Sequence, residues 1–441
     1  MNKMIHTICC ILAASMLVAA TPMFAGTLAV GPAGCEPSYT HFTTIQSAVT
    51  AAPGSGTTTI LVCPGTYPEQ VQIIGKRITL KGVTYNGSNA SVIASPMGGM
   101  VSNATSNVLD DPGNVQAQIL VQNTTATIEY LTMDASNNGA ADPIGVFFQN
   151  ASGTVTRCYV LNDITSATGD QDGYGIYVDS ETTTTGPNPS TGENSTVTIS
   201  YNNVSNFQKN GIMARETGSP LTATVTVSNN TVVGNGPWSG AAENSIEVIL
   251  GAVGTITSNT VGADIWGPDI FGDTGDAAAG ILVGYGSEGI VITNNQVSNT
   301  QYGIAIEGCS GCGIFSGTGD DASVTGNTIS ATHLYDAIDV CANNATVNTN
   351  KINGADESGV HLDDTCFGSE TGSSVSGNTI SGSCAGVLEG PSASGSLGTN
   401  TYYNVGTQVM SGSDTCTPAL VPVGSGARNG LSHGTQHRLR P

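Results

Sequence analysis

Short runs in which every second residue is apolar recur along the chain: GVFF (145–148), GIYV (175–178), GIMA (211–214), SIEV (245–248), GILV (280–283), GIAI (303–306), AIDV (337–340), GVHL (359–362) and GVLE (386–389). A period of two over four residues, opened by Gly or a small residue, predicts a strand. Between these runs lies a second pattern, centred on asparagine: VTISYNNVSN, VTVSNNTVVGN, GTITSNTVG, IVITNNQVSN, ASVTGNTIS, ATVNTNKING, SSVSGNTIS and SGSLGTNTYYN. Aligned, they place Asn202, Asn230, Asn259, Asn295, Asn327, Asn350, Asn378 and Asn400 at one position, 22 to 36 residues apart. ATIEYLTMDAS and GTVTRCYVLN fit the same frame with Leu131 and Cys158 in that place.

A repeat of this length built of two or three short strands cannot bury its own apolar face, so it must stack on copies of itself. Same-sense stacking predicts an all-β parallel coil. At a bend repeated rung after rung, asparagine tolerates the left-handed conformation, and its amide both donates and accepts. The aligned asparagines are therefore expected to form a structural ladder, with Cys158 as a buried thiol in the same column.

Composition sharpens this picture. Only 10% of residues are charged and 58 are Gly, against about 25% charged in an ordinary domain, so strands and tight turns are expected and helices few. The net charge of −22 excludes nucleic acid as a partner, since phosphate binding needs a basic surface. Residues 1–25, with Lys3 before an apolar stretch from Ile8 to Ala20, read as a secretory signal peptide, and no later stretch is long and apolar enough for a membrane span. An exported protein, extracellular, periplasmic or at the cell surface, keeps disulfides. Cys9 and Cys10 fall in the leader, and the other nine cysteines are an odd number. Cys35 with Cys63, and pairs among Cys309, Cys312, Cys341, Cys366, Cys384 and Cys416, are expected, with connectivity open. CSGC (309–312) lacks the surroundings of a redox motif. The repeats span 26–417, and residues 418–441 form a basic tail expected to be disordered or packed over the last rung.

The opening segment HFTTIQSAVTAAPGSGTTTILVCPGTYPEQVQIIGKRITLKGV (41–83) resembles the start of pectin methylesterases. With the repeats, the resemblance extends over Phe42 to Tyr403 to the right-handed parallel β-helix proteins of the pectin-lyase-like superfamily. It implies a single parallel β-helix solenoid of about a dozen rungs with an N-terminal helical cap, Thr44 to Ala52 forming the cap and Pro64 to Tyr67 the turn into the first rung. The family's catalytic motifs do not carry over. No Arg lies between Arg215 and Arg428, there is no GlyArgProTrp, and Asp363-Asp364 is not in a polygalacturonase context. DIFGD at Asp269 matches the esterase motif only superficially.

Candidate chemistry lies on the strand residue between the two inward apolar positions, which is expected to face outward. It gives the column Phe147, Tyr177, Met213, Glu247, Leu282, Ala305, Asp339, His361 and Leu388. The C-terminal rungs gather His361, Asp339 and Asp363, with Asp364 and Glu307, as a catalytic or metal-binding cluster, because an imidazole beside carboxylates serves as general acid, base or ligand. HLDD (361–364) is distantly similar to the His and Asp motif of β-helix epimerases without matching it. Tyr177, Phe147, Arg215 and Asp179 are candidate sugar-binding residues, and Asp170 and Asp172 candidate calcium ligands. The leading expectation is a secreted monomer that binds, and processes by lyase, epimerase or hydrolase chemistry, an extracellular polysaccharide or cell-surface glycan. The alternative is a non-catalytic rod acting in adhesion or structure.

Overall fold

The computed structural model describes residues 26–106, 113–165, 171–218, 220–267, 276–308, 310, 316–366, 368–416 and 438–439. The leader, Asp170, Asp269, Cys309 and Cys312 lie outside the described residues, as does the tail except for Arg438–Leu439, which pairs in parallel with Asp276–Ala277. Three long parallel sheets of 14, 12 and 13 strands run the length of a coil. Each rung contributes one strand to each sheet, as in Ser152–Thr156 (first sheet), Tyr159–Leu161 (second) and Tyr174–Ser180 (third). Among the described strands the exception to same-sense pairing is Ala104–Ser106, antiparallel to Gly113–Gln122, beside an isolated antiparallel bridge of Tyr85 with Ser88. A column of Val and Ile from all three sheets fills the interior, since inward side chains every second residue stack on their counterparts one rung away.

The expected cap is a helix at Ile45–Ala51, with Thr44 Oγ1 accepting the Ser47 N–H at 3.1 Å. Glu69 closes its start by accepting the Ile45 and Gln46 N–H groups at 2.8 and 2.9 Å. Gly65–Pro68, read from sequence as part of a turn, is a strand of the second sheet paired with Ser91–Ala94.

The asparagines stack at the bend between the first and second sheets. Asn295 Oδ1 accepts both the backbone N–H and the Nδ2–H of Asn259, at 2.9 and 3.0 Å, while its own Nδ2 donates to Ile256 O and Asn327 Oδ1. The pattern recurs from Asn202 to Asn400 and ends at Cys158, whose N–H donates to Asn202 Oδ1 at 2.9 Å. One detail differs from expectation. From Asn202 to Asn378 the left-handed position is held by the residue before the asparagine, such as Tyr201 (φ 58°), Ser258 (58°), Gly326 (70°) and Thr349 (55°), which frees the asparagine to point inward. Among the described residues Cys158 is the free, buried thiol, held at about 12 by burial. Disulfides join Cys35–Cys63, Cys341–Cys366 and Cys384–Cys416.

The register of the third sheet is the anticipated one: Phe147, Tyr177, Met213, Glu247, Leu282, Ala305, Asp339, His361 and Leu388 pair in succession. This column is not surface, however. None of its members is more than 4% exposed, because the connections between sheets fold over it. Phe147, Tyr177, Met213 and Leu282 form a second apolar cluster with Leu250, Ala277 and Tyr335 from those connections. A parallel sheet covered on both faces places apolar residues at both parities.

Candidate functional site

At the C-terminal rungs the covered column turns from apolar to acidic. Asp339 lies on strand Ile338–Val340 and His361 on the neighbouring strand Ser358–Leu362, directly paired. Asp336, just before the first of these strands, bends back so that its Oδ2 lies 3.2 Å from His361 Nδ1, while Asp339 Oδ1 lies 3.6 Å from the same nitrogen. The other Asp336 oxygen accepts the Ser358 N–H at 2.9 Å, which fixes the carboxylate. Glu307 stands beside Asp339 and against the Cys341–Cys366 disulfide, its Oε2 3.4 Å from Cys366 Sγ. Glu357 accepts the N–H of Cys416 at 2.9 Å, so the Cys384–Cys416 disulfide carries the 412–416 segment onto the site.

Two levels result. The interior holds Asp336, Asp339, Glu357 and His361, all 7% exposed or less. The mouth holds Asp363 and Asp414, both partly exposed, whose carboxylate oxygens and a His361 nitrogen lie within 4.8 Å of one another. Asp364 supports the mouth, accepting the Ser392 N–H. Gly390 fits beside these acids because it has no side chain: a Cβ there would meet Asp414 Oδ1 at 2.5 Å and Asp364 Oδ1 at 2.9 Å.

Crowding of acids in a buried place shifts their protonation. Burial, then the Asp363 charge, pushes Glu307 up to about 7, and burial with Asp336 pushes Glu357 up to about 8. Burial and the neighbouring acids hold Asp339 well above the carboxylate range. Burial alone would lower His361, but the charge and hydrogen bond of Asp336, with Asp363 and Glu357, outweigh it and raise the imidazole to about 9. At the mouth, partial burial with Asp364 and Asp363 raises Asp414 to about 6. His361 Nε2 and Asp339 Oδ1 are buried without a hydrogen-bond partner.

The structure thus brings His361, Asp339 and Asp363 together, and adds Asp336, Glu357 and Asp414, which the sequence reading missed. Asp336 has the parity of the inward residues Ile338 and Val340, so alternation gives no sign of it. Asp414 arrives through a disulfide whose pairing no spacing reveals.

The proposed sugar-binding residues lie elsewhere. Tyr177 is six rungs from His361, roughly 29 Å at about 4.8 Å per rung. Phe147, Tyr177, Arg215 and Asp179 do cluster, but as buried structure: the Phe147 and Tyr177 rings stack at 4.7 Å, the Arg215 guanidinium lies 4.9 Å over Tyr177, and Tyr177 Oη donates to Asp179 Oδ2 at 2.7 Å. Their expected exposure to sugar is corrected, since none exceeds 2% exposure. The segment after Ser180 folds back over them, with Asn188 donating to Gln72 Oε1 and Asn103 O. Gln122, Gln149, Asp179 and Arg215 occupy one register column, and Gln149 Nε2 donates to Glu181 Oε1 at 2.8 Å. Burial and then Glu181 push Asp179 well up despite Arg215, whose Nε lies 3.6 Å from Asp179 Oδ2. Arg215→Met should lower unfolding free energy by about 3 kcal/mol or more in urea denaturation, because it leaves the buried Asp179 without its cationic partner; a loss under about 1 kcal/mol would contradict a buried structural role. Asp172 is buried, accepts from Tyr174 Oη at 3.1 Å, and belongs to none of the ligand clusters among the described residues.

Two surface depressions, of about 410 Å³ beside Lys81 and Tyr130 and about 290 Å³ beside Arg77 and Asn123, lie over early rungs away from the acidic cluster. Among the described residues no helix is long and apolar enough to cross a membrane. The chain matches no protein-family profile and no curated protein sequence. Solved structures do superpose on it. The native GH136 lacto-N-biosidase from Eubacterium ramulus aligns with 87% of this chain and 68% of its own at 11% identity and a TM-score of 0.56; its selenomethionine form does so over the same shares at 12% and 0.53. A pectin methylesterase in complex with a hexasaccharide aligns over 68% of this chain and 89% of its own, at 14% identity and a TM-score of 0.38. Three parallel sheets and the superposition on the lacto-N-biosidase define the described residues as a right-handed parallel β-helix.

Proposed function

We propose that the protein processes an extracellular glycan at the acidic mouth formed by Asp363 and Asp414. The observation that carries this reading is geometric. Two partly exposed carboxyl groups face each other within 4.8 Å, on segments fastened by two disulfides, above a buried His361 and its acids. Cleavage of a glycosidic bond requires one carboxyl to deliver a proton to the leaving oxygen and another to remain charged against the positive sugar ring. Asp363 and Asp414 supply such a pair, while His361 and Asp339 beneath them set its charge. Between Arg215 and Arg428 the only Lys or Arg is Lys351, and the carboxyl groups at the mouth outnumber the one imidazole beside them, so the surplus of negative charge favours a neutral glycan over a uronate. The disulfides agree with an oxidising, extracellular or periplasmic location. That the same fold serves a lacto-N-biosidase agrees with the reading and adds only the fold to it.

The test is a panel of neutral and uronic-acid oligosaccharides, with and without calcium, followed by product analysis. Cleavage of a neutral member, lost in His361→Ala, is expected; absence of binding and product across the panel, or unaltered activity in the variant, sinks the proposal. The second reading is a non-catalytic rod at a surface. It is favoured by the covered third sheet, which leaves the column without an open groove, and it predicts glycan binding at most, with no product.

A further inference from the structure

We propose that Asp336, Asp339 and His361 hold a divalent transition-metal ion, of the zinc or manganese class, beneath the mouth. The three donor atoms are already spaced as ligands. His361 Nδ1 lies 3.2 Å from Asp336 Oδ2 and 3.6 Å from Asp339 Oδ1, and metal–ligand bonds of about 2.0–2.2 Å in a tetrahedron put neighbouring ligand atoms roughly 3.3–3.6 Å apart. Asp339 Oδ1 is buried in a residue 2% exposed, has no hydrogen-bond partner, and faces this gap. An orphaned carboxylate oxygen in such a place is costly unless a cation completes it.

Charge argues the same way. Seven acids, Glu307, Asp336, Asp339, Glu357, Asp363, Asp364 and Asp414, surround one histidine, and Lys351, the only Lys or Arg between Arg215 and Arg428, stands exposed on the second sheet. With the ion bound, Asp336 and Asp339 ionised and the imidazole neutral would carry a charge that a divalent cation cancels. The supporting contacts are those of a ligand set: Ser358 N–H holds the far oxygen of Asp336 at 2.9 Å, and Glu307 stands beside Asp339. The imidazole favours zinc or manganese over calcium, which prefers oxygen ligands alone. The site goes beyond the glycan reading and does not depend on it, since a metal here can serve structure as well as reaction.

The test is calorimetric titration of the full, tag-free chain, freed of metal with EDTA, against zinc, manganese and calcium chlorides at neutral pH. One zinc or manganese site per chain is expected, tighter than calcium and weakened at least ~100-fold in His361→Ala and Asp336→Asn. His433→Ala/His437→Ala, which removes the tail histidines, should bind as the wild type does. The proposal is overturned if no ion binds, if calcium binds more tightly than zinc, or if binding survives in the variants while disappearing with the tail histidines. Circular dichroism checks folding, and near-isosteric Asp339→Asn replaces His361→Ala if that variant fails to fold. Because the readout is binding, it is independent of glycan cleavage.

Discussion

Asn295→Ala is expected to destabilise the protein by about 4 kcal/mol, whereas Asn400→Ala, at the end of the ladder, costs about 1 kcal/mol. Asn295 is 1% exposed, and its Oδ1 satisfies two donors of Asn259 while its Nδ2 satisfies Ile256 O and reaches Asn327 Oδ1. Truncation orphans the Asn259 backbone and amide N–H groups in a dry interior, each worth roughly 1–3 kcal/mol. Asn400 is only partly buried and has no further asparagine above it, so water repairs part of the loss. The same geometry makes a contrasting prediction for Cys158. In Cys158→Asn a new amide would stand 1% exposed above Asn202, positioned to donate to Ile128 O and to Asn202 Oδ1, so stability should hold or rise. Equal losses at Asn295 and Asn400 in chemical denaturation would show that the ladder acts as separate turns and not as a connected column.

The second large effect is an inverted pH dependence, with the melting temperature falling by roughly 10 °C or more between pH 5.5 and pH 9 in EDTA. The sign follows from the direction of the shifts. Burial pushes Glu243 from 4.5 to about 8, Glu357 to about 8 and Glu307 to about 7, and His361 is raised from 6.5 to about 9. Asp163 and Asp264 move up as well, chiefly through burial. Every one of these folded-state values is above its unfolded value, so the folded chain holds extra protons. Their contribution is fully present below the unfolded values and is lost as pH rises through 7 to 9. Glu243 tests one component away from the acidic cluster. It accepts from Asn235 N and Nδ2 at 2.8 and 2.7 Å, and Glu243→Gln should flatten the curve by a few kcal/mol of its slope. A melting temperature that rises from pH 5.5 to 9 would contradict the buried, protonated state of these acids.

The sequence made the coil legible because its signals are local and repeated. The aligned asparagines placed the bend, and alternation in GVHL and AIDV gave the pairing of His361 with Asp339. What alternation could not show was the cover over that strand face. Connections such as 181–194 and 234–243 have no period of their own, and they come to rest on rungs far away in sequence, as Asn188 does on Gln72. Phe147, Tyr177 and Leu282 at outward positions were the overlooked sign, since three large apolar residues in one outward column indicate a second core. The candidate site was half legible for the same reason. His361, Asp339 and Asp363 follow from strand register, whereas Asp336 depends on a bend and Asp414 on the Cys384–Cys416 bond.

If Asp363 and Asp414 are the reacting pair proposed above, the most direct measurement is kcat/KM on a neutral oligosaccharide for wild type, Asp363→Asn and Asp414→Asn. Each single change should lower kcat by about 100-fold or more with KM little altered, and the double variant should lose little beyond either single one, since the two groups act as a unit. If both variants cleave within a few-fold of wild type while folded, the mouth is not where the chemistry occurs.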